Sequence, residues 1–148
     1  MSLYQSAWEG SERSASGHAV SLEFHSAHAA ALLKLDPLAH AEESYTTQRD
    51  MHVALEKKLG PNHPLTLTSL LRLSEALTAK KDVKMALKIA KKVRERREKV
   101  LKSTHPETVA AAAWVDRLED RKKQKSYEDA QVVADIMTRK DRGGSFTK

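Results

Sequence analysis

Leu59-Gly60-Pro61-Asn62-His63-Pro64-Leu65-Thr66 is echoed, 42 residues later, by Leu101-Lys102-Ser103-Thr104-His105-Pro106-Glu107-Thr108. Leu, His, Pro and Thr recur in register. A fixed period of about 20–50 residues marks a repeat architecture, in which each unit buries its apolar face by stacking on its neighbours. Each copy also reads as a joint between helices. Gly60 suits a C-terminal cap and Pro61 stops the helix before it. Pro64 and Pro106 fall in first turns, where a missing N–H has no helical partner to lose. Thr104-His105-Pro106-Glu107 has the Thr-x-x-Glu form of a capping box, with the Thr104 hydroxyl as the expected cap. The recurring histidines are read as parts of this joint, serving packing and helix entry.

Working outward, three-four spacing predicts helices on both sides of each joint. His18 to Leu35 carries Leu22, His25, Ala29, Leu32 and Leu33 on one face, and Asp36-Pro37 ends it. A polar helix follows from Leu38 to Leu59. Pro64 to Lys80 buries Thr66, Leu67, Leu70, Leu71, Leu73 and Leu77. Asp82 is the expected N-cap of Val83 to Leu101, whose stripe is Ala86, Ile89, Ala90, Val93 and Val100. A fifth helix runs through Val109, Ala112, Val115 and Leu118 to Lys123, and a sixth from Tyr127 to Met137. The expected fold is all-α, a right-handed helical-hairpin solenoid of about six helices in three hairpins. Its parts are a flexible leader over 1–17, a repeat domain over 18–138 and a flexible tail over 139–148.

Composition agrees with helices. Charged residues make up 31% and aromatics 5% of the 148 residues, so the core must come from Leu, Val and Ala. There is no cysteine, which excludes disulfides, thiolate metal sites and Cys nucleophiles. The net charge of +6 is concentrated. Lys80 to Lys102 holds 11 basic and 3 acidic residues, a net of +8, and the remainder sums to −2. No apolar run approaches a membrane span. The reading is an intracellular, cytoplasmic protein, with an organellar setting left open.

The doubled Leu-Gly-Pro-x-His-Pro-x-Thr phrase resembles the tetratricopeptide repeats of the kinesin light chain type. Leu73-Ser74 matches the Leu-small pair of a first helix, and Ala86, Ala90 and Val93 match the packing face of a second. Tyr127-Glu128-Asp129-Ala130 resembles the start of another second helix, shifted by two residues. The likeness covers roughly residues 40–134, with a degenerate earlier unit from His18. Lys102 departs from it by replacing Gly, Asp116 by replacing a small residue, and His52, Arg94 and Arg97 by replacing apolar ones. The arginine stems are expected to cover apolar surface while the guanidinium groups reach water.

The resemblance implies a non-enzymatic protein–protein interaction module whose first helices line a concave groove for a peptide or partner helix. Projected onto this chain, the groove exposes Thr68, Arg72, Glu75 and Thr78, then Ala110, Trp114, Arg117 and Arg121. Trp114 and Arg117 are the expected anchors, as Trp and Arg dominate binding hot spots; the plainer reading packs Trp114 within its own repeat. A second candidate surface is Lys84, Lys88, Lys91, Lys92, Arg96 and Lys99 on helix 83–101. These lysines read most plainly as a solvated face. Functionally they would meet an acidic protein segment or RNA, docking the chain as an accessory subunit of a ribonucleoprotein or organellar assembly. No aromatics are interleaved there for base stacking. His25 and His28 could touch one ion, but no third ligand stands at suitable spacing. No catalytic phrase is present, so no enzyme, metal or cofactor is expected.

Overall fold

The computed structural model describes residues 17–143, with side chains from Ser21 to Arg142. Of the leader expected over 1–17 and the tail expected over 139–148, residues 1–16 and 144–148 lie outside the described residues, and 139–143 belong to the last helix. Five helices and no strand are found among those described: α1 (Gly17–Leu35), α2 (Pro37–Leu59), α3 (Pro64–Ala79), α4 (Val83–Leu101) and α5 (Pro106–Gly143). Each helix packs on the next, and α1 also lies against α3. The result is an all-α helical-hairpin repeat in which α1, α3 and α5 are first helices and α2 and α4 second helices.

The joints are built as the residue types dictate, with one correction. Asp36 accepts hydrogen bonds from the N–H groups of Leu38 and Ala39, both at 3.1 Å, and Asp82 accepts from that of Met85 at 3.1 Å. The second His-Pro phrase does not use its Thr104 hydroxyl as the cap. The helix begins at Pro106, so the residue before it, His105, holds the capping position. Its Nδ1 accepts from the Glu107 N–H at 3.2 Å, just as His63 Nδ1 accepts from the Leu65 N–H at 3.2 Å. An imidazole that accepts through Nδ1 carries its proton on Nε2. Both histidines are thus helix caps made of aromatic nitrogen.

The main core lies between α3, α4 and α5. Leu67, Leu70, Leu73 and Leu77 meet Ala86, Leu87, Ala90 and Val93, closed by Ala111, Val115 and Leu118. Ala86, Ala90 and Ala111 are fully buried, and their small side chains let the helix axes approach. A smaller cluster, Leu33, Ala41 and Ala76, joins α1 and α2 to α3. Beside it α1 and α2 are pinned by a reciprocal polar pair. Ser26 Oγ donates to Gln48 Oε1 and Gln48 Nε2 donates to the Ser26 carbonyl, both at 2.7 Å, with both residues fully buried. A buried amide is tolerated only when its donors and acceptors are met in this way.

Arg97 departs from the expected snorkelling. It is 3% exposed, and its guanidinium turns inward, donating to the Glu107 carbonyl at 2.9 Å and to Thr68 Oγ1 at 3.4 Å. It ties α4 to the start of α5 and to α3. Arg94 is half exposed, with Nε 3.4 Å from Glu98.

The expected third hairpin does not form. Gln124 to Ser126, read as a break, is interior to α5, and Tyr127-Glu128-Asp129-Ala130 continues the same helix for 38 residues in all. One period earlier the chain turns at Lys80-Lys81-Asp82, with Lys81 at φ 66° and Asp82 as cap. The equivalent Lys122-Lys123-Gln124 has no capping side chain, glycine or proline, and all three residues favour helix. The outward face of α5 changes to match. Core positions Leu67, Leu70, Ser74, Leu77 and Thr78 of α3 become Val109, Ala112, Asp116, Glu119 and Asp120 in α5. Asp116 and Asp120 are exposed, so carboxylates stand where α3 buries Ser74 and Thr78, while Val109 keeps an apolar side chain 54% exposed on that face.

Candidate protein-binding surfaces

Of the eight expected groove residues, four belong to α3 and are largely occupied within the molecule. Arg72 reaches back to α1, donating to Glu23 Oε1 and Ser26 Oγ, both at 2.9 Å. Thr68 donates to the Pro64 carbonyl at 2.9 Å and accepts from Arg97. Glu75 is half-buried; its burial pushes the carboxyl pKa up, against the opposing pull of Lys34 and Arg72. Thr78 is a correction. It is 9% exposed, its hydroxyl returns to the Ser74 carbonyl at 2.8 Å, and it offers nothing to a ligand.

The four α5 residues are differently placed. Ala110, Arg117 and Arg121 are exposed, and Trp114 is half-buried. Trp114 stands one period after Arg72 and makes the equivalent reach, its Nε1–H donating to Ser74 Oγ of α3 at 2.6 Å. It also packs against the main core. The indole thus braces α5 on α3 and keeps part of its surface in solvent. Neither arginine makes an ion pair among the described residues.

On the basic helix the six expected residues divide. Lys91 pairs with Glu119 of α5 at 2.7 Å. Arg96 donates to the Pro61 carbonyl at 3.1 Å and lies 4.0 Å from Glu56, bracing α4 on the preceding joint. Lys84, Lys88, Lys92 and Lys99 are exposed, with no ion pair among the described residues. Because α5 does not turn, it brings more lysines to this side. A cleft of about 660 Å³ between α4 and α5 is lined by Leu87, Lys91, Glu119, Lys122, Lys123, Ser126, Tyr127 and Ala130. A second, of about 440 Å³, joins Lys81, Asp82, Val83 and Lys84 to Lys122, Lys125, Ser126 and Asp129. The sequence reading missed this convergence because it placed a turn at Lys123. The run Arg121 to Lys125, free of any stop signal, was the mark that could have revealed it.

His52, a departure from the repeat pattern, faces Ser69 of α3, with Nδ1 at 3.2 Å from Oγ and Nε2 at 3.6 Å from Glu56. Burial lowers its pKa below the usual 6.5, outweighing the attraction of Glu56. Among the described residues no group of three His, Asp or Glu side chains is placed to hold a metal ion, and no helix is long and apolar enough to cross a membrane.

No curated protein and no solved structure matches the chain. Residues 66–107 match the model of the tetratricopeptide repeat, a segment that runs from the first turn of α3 through α4 to the first turn of α5. One full period of the doubled phrase, folded as a helical hairpin, is thus similar to a tetratricopeptide repeat, within a chain whose described residues form an all-α helical-hairpin repeat.

Proposed function

We propose that this chain is a non-enzymatic interaction module of the 42-residue, kinesin light chain type of repeat, binding a peptide or partner helix along its first helices. The observation that carries the reading is the α5 cluster. Trp114 is held by Ser74 and flanked by exposed Arg117 and Arg121, whose guanidinium groups no carboxylate among the described residues neutralises. A rigid aromatic beside two uncommitted guanidinium groups is the composition of a binding hot spot. It fits a segment carrying one large apolar residue and nearby carboxylates. The α3 half of the surface is committed to internal contacts and supplies shape more than charge.

Peptides selected by display against the full chain provide the test. Binding should fall about tenfold or more in Arg117→Glu/Arg121→Glu, which alters exposed residues and leaves the fold intact. Trp114→Phe, which keeps an aromatic ring but removes the Nε1–H, should bind more weakly with an unchanged CD spectrum. Selected peptides that bind both variants as tightly as the parent would sink the reading.

The runner-up, an accessory subunit docked through helix 83–101 onto an acidic protein or RNA, is favoured by the four lysines without ion pairs. Its signature is affinity for single-stranded RNA or an acidic segment that falls steeply with salt. Charge reversal at Lys88 and Lys92 should remove that affinity and spare the Trp114 surface.

A further inference from the structure

The helix starts of this chain divide by the chemistry of their caps. α2 and α4 start on Asp36 and Asp82, whose carboxylate oxygens accept backbone N–H groups at 3.1 Å. α3 and α5 start on His63 and His105, whose Nδ1 atoms accept the N–H of Leu65 and of Glu107, each at 3.2 Å. Pro64 and Pro106 lie between cap and donor, so each imidazole holds the first N–H that its helix possesses. A carboxylate remains an acceptor to well below pH 5. An imidazole has one ring lone pair to offer and loses it on taking up a proton, which histidine does between about pH 5 and 8. Protonated at Nδ1, the ring turns a donor toward a donor. It also sets positive charge at the positive end of the helix. Both changes oppose the same first turn.

The surroundings do not favour the added charge. Among the described residues, histidine ion pairs are those of His40 with Glu43 and His52 with Glu56; His63 and His105 make none. Beside His63, Arg96 of α4 donates to the Pro61 carbonyl at 3.1 Å, with Glu56 of α2 4.0 Å from its guanidinium and His52 of α2 facing Ser69 of α3. Beside His105, the Lys102 carbonyl accepts the His105 N–H at 3.4 Å. Arg97 of α4 donates to the Glu107 carbonyl at 2.9 Å and lies 3.9 Å from the Glu107 carboxylate. Arg97 also donates to Thr68 Oγ1 at 3.4 Å, so one buried guanidinium joins the first turns of both imidazole-capped helices.

We propose that His63 and His105 form an acid-released latch on the starts of α3 and α5. At neutral pH both first turns are closed and Arg97 bridges them. A proton on either ring opens that cap, and protons on both loosen the two turns that Arg97 joins. The starts of α2 and α4 keep their carboxylate caps. Since α3 and α5 supply the proposed groove, mild acid should also weaken a bound peptide. That consequence rests on the proposed function; the latch itself does not.

The full chain without ligand, in a His52→Gln background that removes the other buried imidazole, is the material for the test. Between pH 7.5 and pH 5 the amide resonances of Leu65 and Glu107 should shift in step with the ring signals of His63 and His105. Those of Leu38 and Met85, held by Asp36 and Asp82, should stay in place. At pH 7.5 both rings should show the tautomer with the proton on Nε2. His63→Asn/His105→Asn supplies the second measurement, because an Asn amide caps well and does not titrate. Over the same pH range the unfolding constant in urea should rise about tenfold or more further in the histidine-capped protein than in the Asn-capped one. Leu65 and Glu107 amides that ignore the titration, or rings protonated on Nδ1 at pH 7.5, overturn the proposal. So does an equal loss of stability in the two proteins.

Discussion

Lys102 stands one period after Gly60 and copies its backbone. Gly60 has φ 87° and ψ 167°, Lys102 φ 71° and ψ 160°. This region is open to glycine and costs other residues about 1–3 kcal/mol. Gly60 meets nothing within 4 Å of an added Cβ, so its requirement is conformational rather than steric. Lys102→Gly is therefore expected to stabilise the fold by about 1 kcal/mol or more, and Gly60→Ala to destabilise it comparably, by urea denaturation. His52 carries a second expectation. Its folded pKa lies below 6.5, so its contribution is fully present above that pH and fades as the pH falls below it, because the unfolded chain binds the proton more readily. Between pH 8 and pH 5 the parent should lose more stability than His52→Gln, which keeps a polar group for Ser69 but does not titrate there. An equal loss in the two proteins would show that burial leaves the imidazole unperturbed.

Among the elements, those bounded by stop signals were legible and the one without them was not. Val83 to Leu101 falls where Asp82 and the second joint place it, and α3 begins at the Pro64 that the phrase supplies. These boundaries rest on single side chains that set φ or accept one hydrogen bond. The end of α5 required the reverse inference, that Lys122-Lys123-Gln124 contains nothing able to stop a helix. A repeat-based expectation overrode that local propensity. The inward guanidinium of Arg97 was equally hidden, because its partners, Thr68 and the Glu107 carbonyl, come from two other helices. At the candidate groove, the period located Trp114 but not the reach of its Nε1–H to Ser74. The second half of α5 stands on propensity and its own i,i+4 pairs, with side chains exposed throughout Arg121 to Arg142. Ala134→Pro should therefore remove helical CD signal from the end of α5, at a local cost of about 3 kcal/mol. The melting temperature of the packed helices should stay within error of the parent, whereas a large drop would mean that the extension supports the core.

For the whole molecule, stability should be graded along the stack. In a repeat protein each helix contacts its neighbours, so cooperativity depends on the weakest interface. The α3–α4–α5 side is held by eleven buried apolar residues, whereas the α1–α2–α3 junction centres on Leu33, Ala41 and Ala76. Leu22, Ala29, Ala30 and Leu55 are buried on α1 and α2 outside that cluster, and polar contacts share the junction: the Ser26–Gln48 pair and the Arg72–Glu23 bridge at 2.9 Å. Polar pairs of this kind fix register but add little net free energy, because water is displaced from both partners. α1 and α2 should therefore open as a unit before the rest. Native-state hydrogen exchange is expected to give α3 and α4 protection near the global unfolding free energy and α1 clearly less. Leu67→Ala, in the main core, should cost about 2–5 kcal/mol and lower protection everywhere. Leu33→Ala should act chiefly on α1 and α2 and leave exchange in α4 unchanged. If both substitutions depress all helices alike, the stack unfolds in one step, and the polar junction couples the units as tightly as the apolar core does.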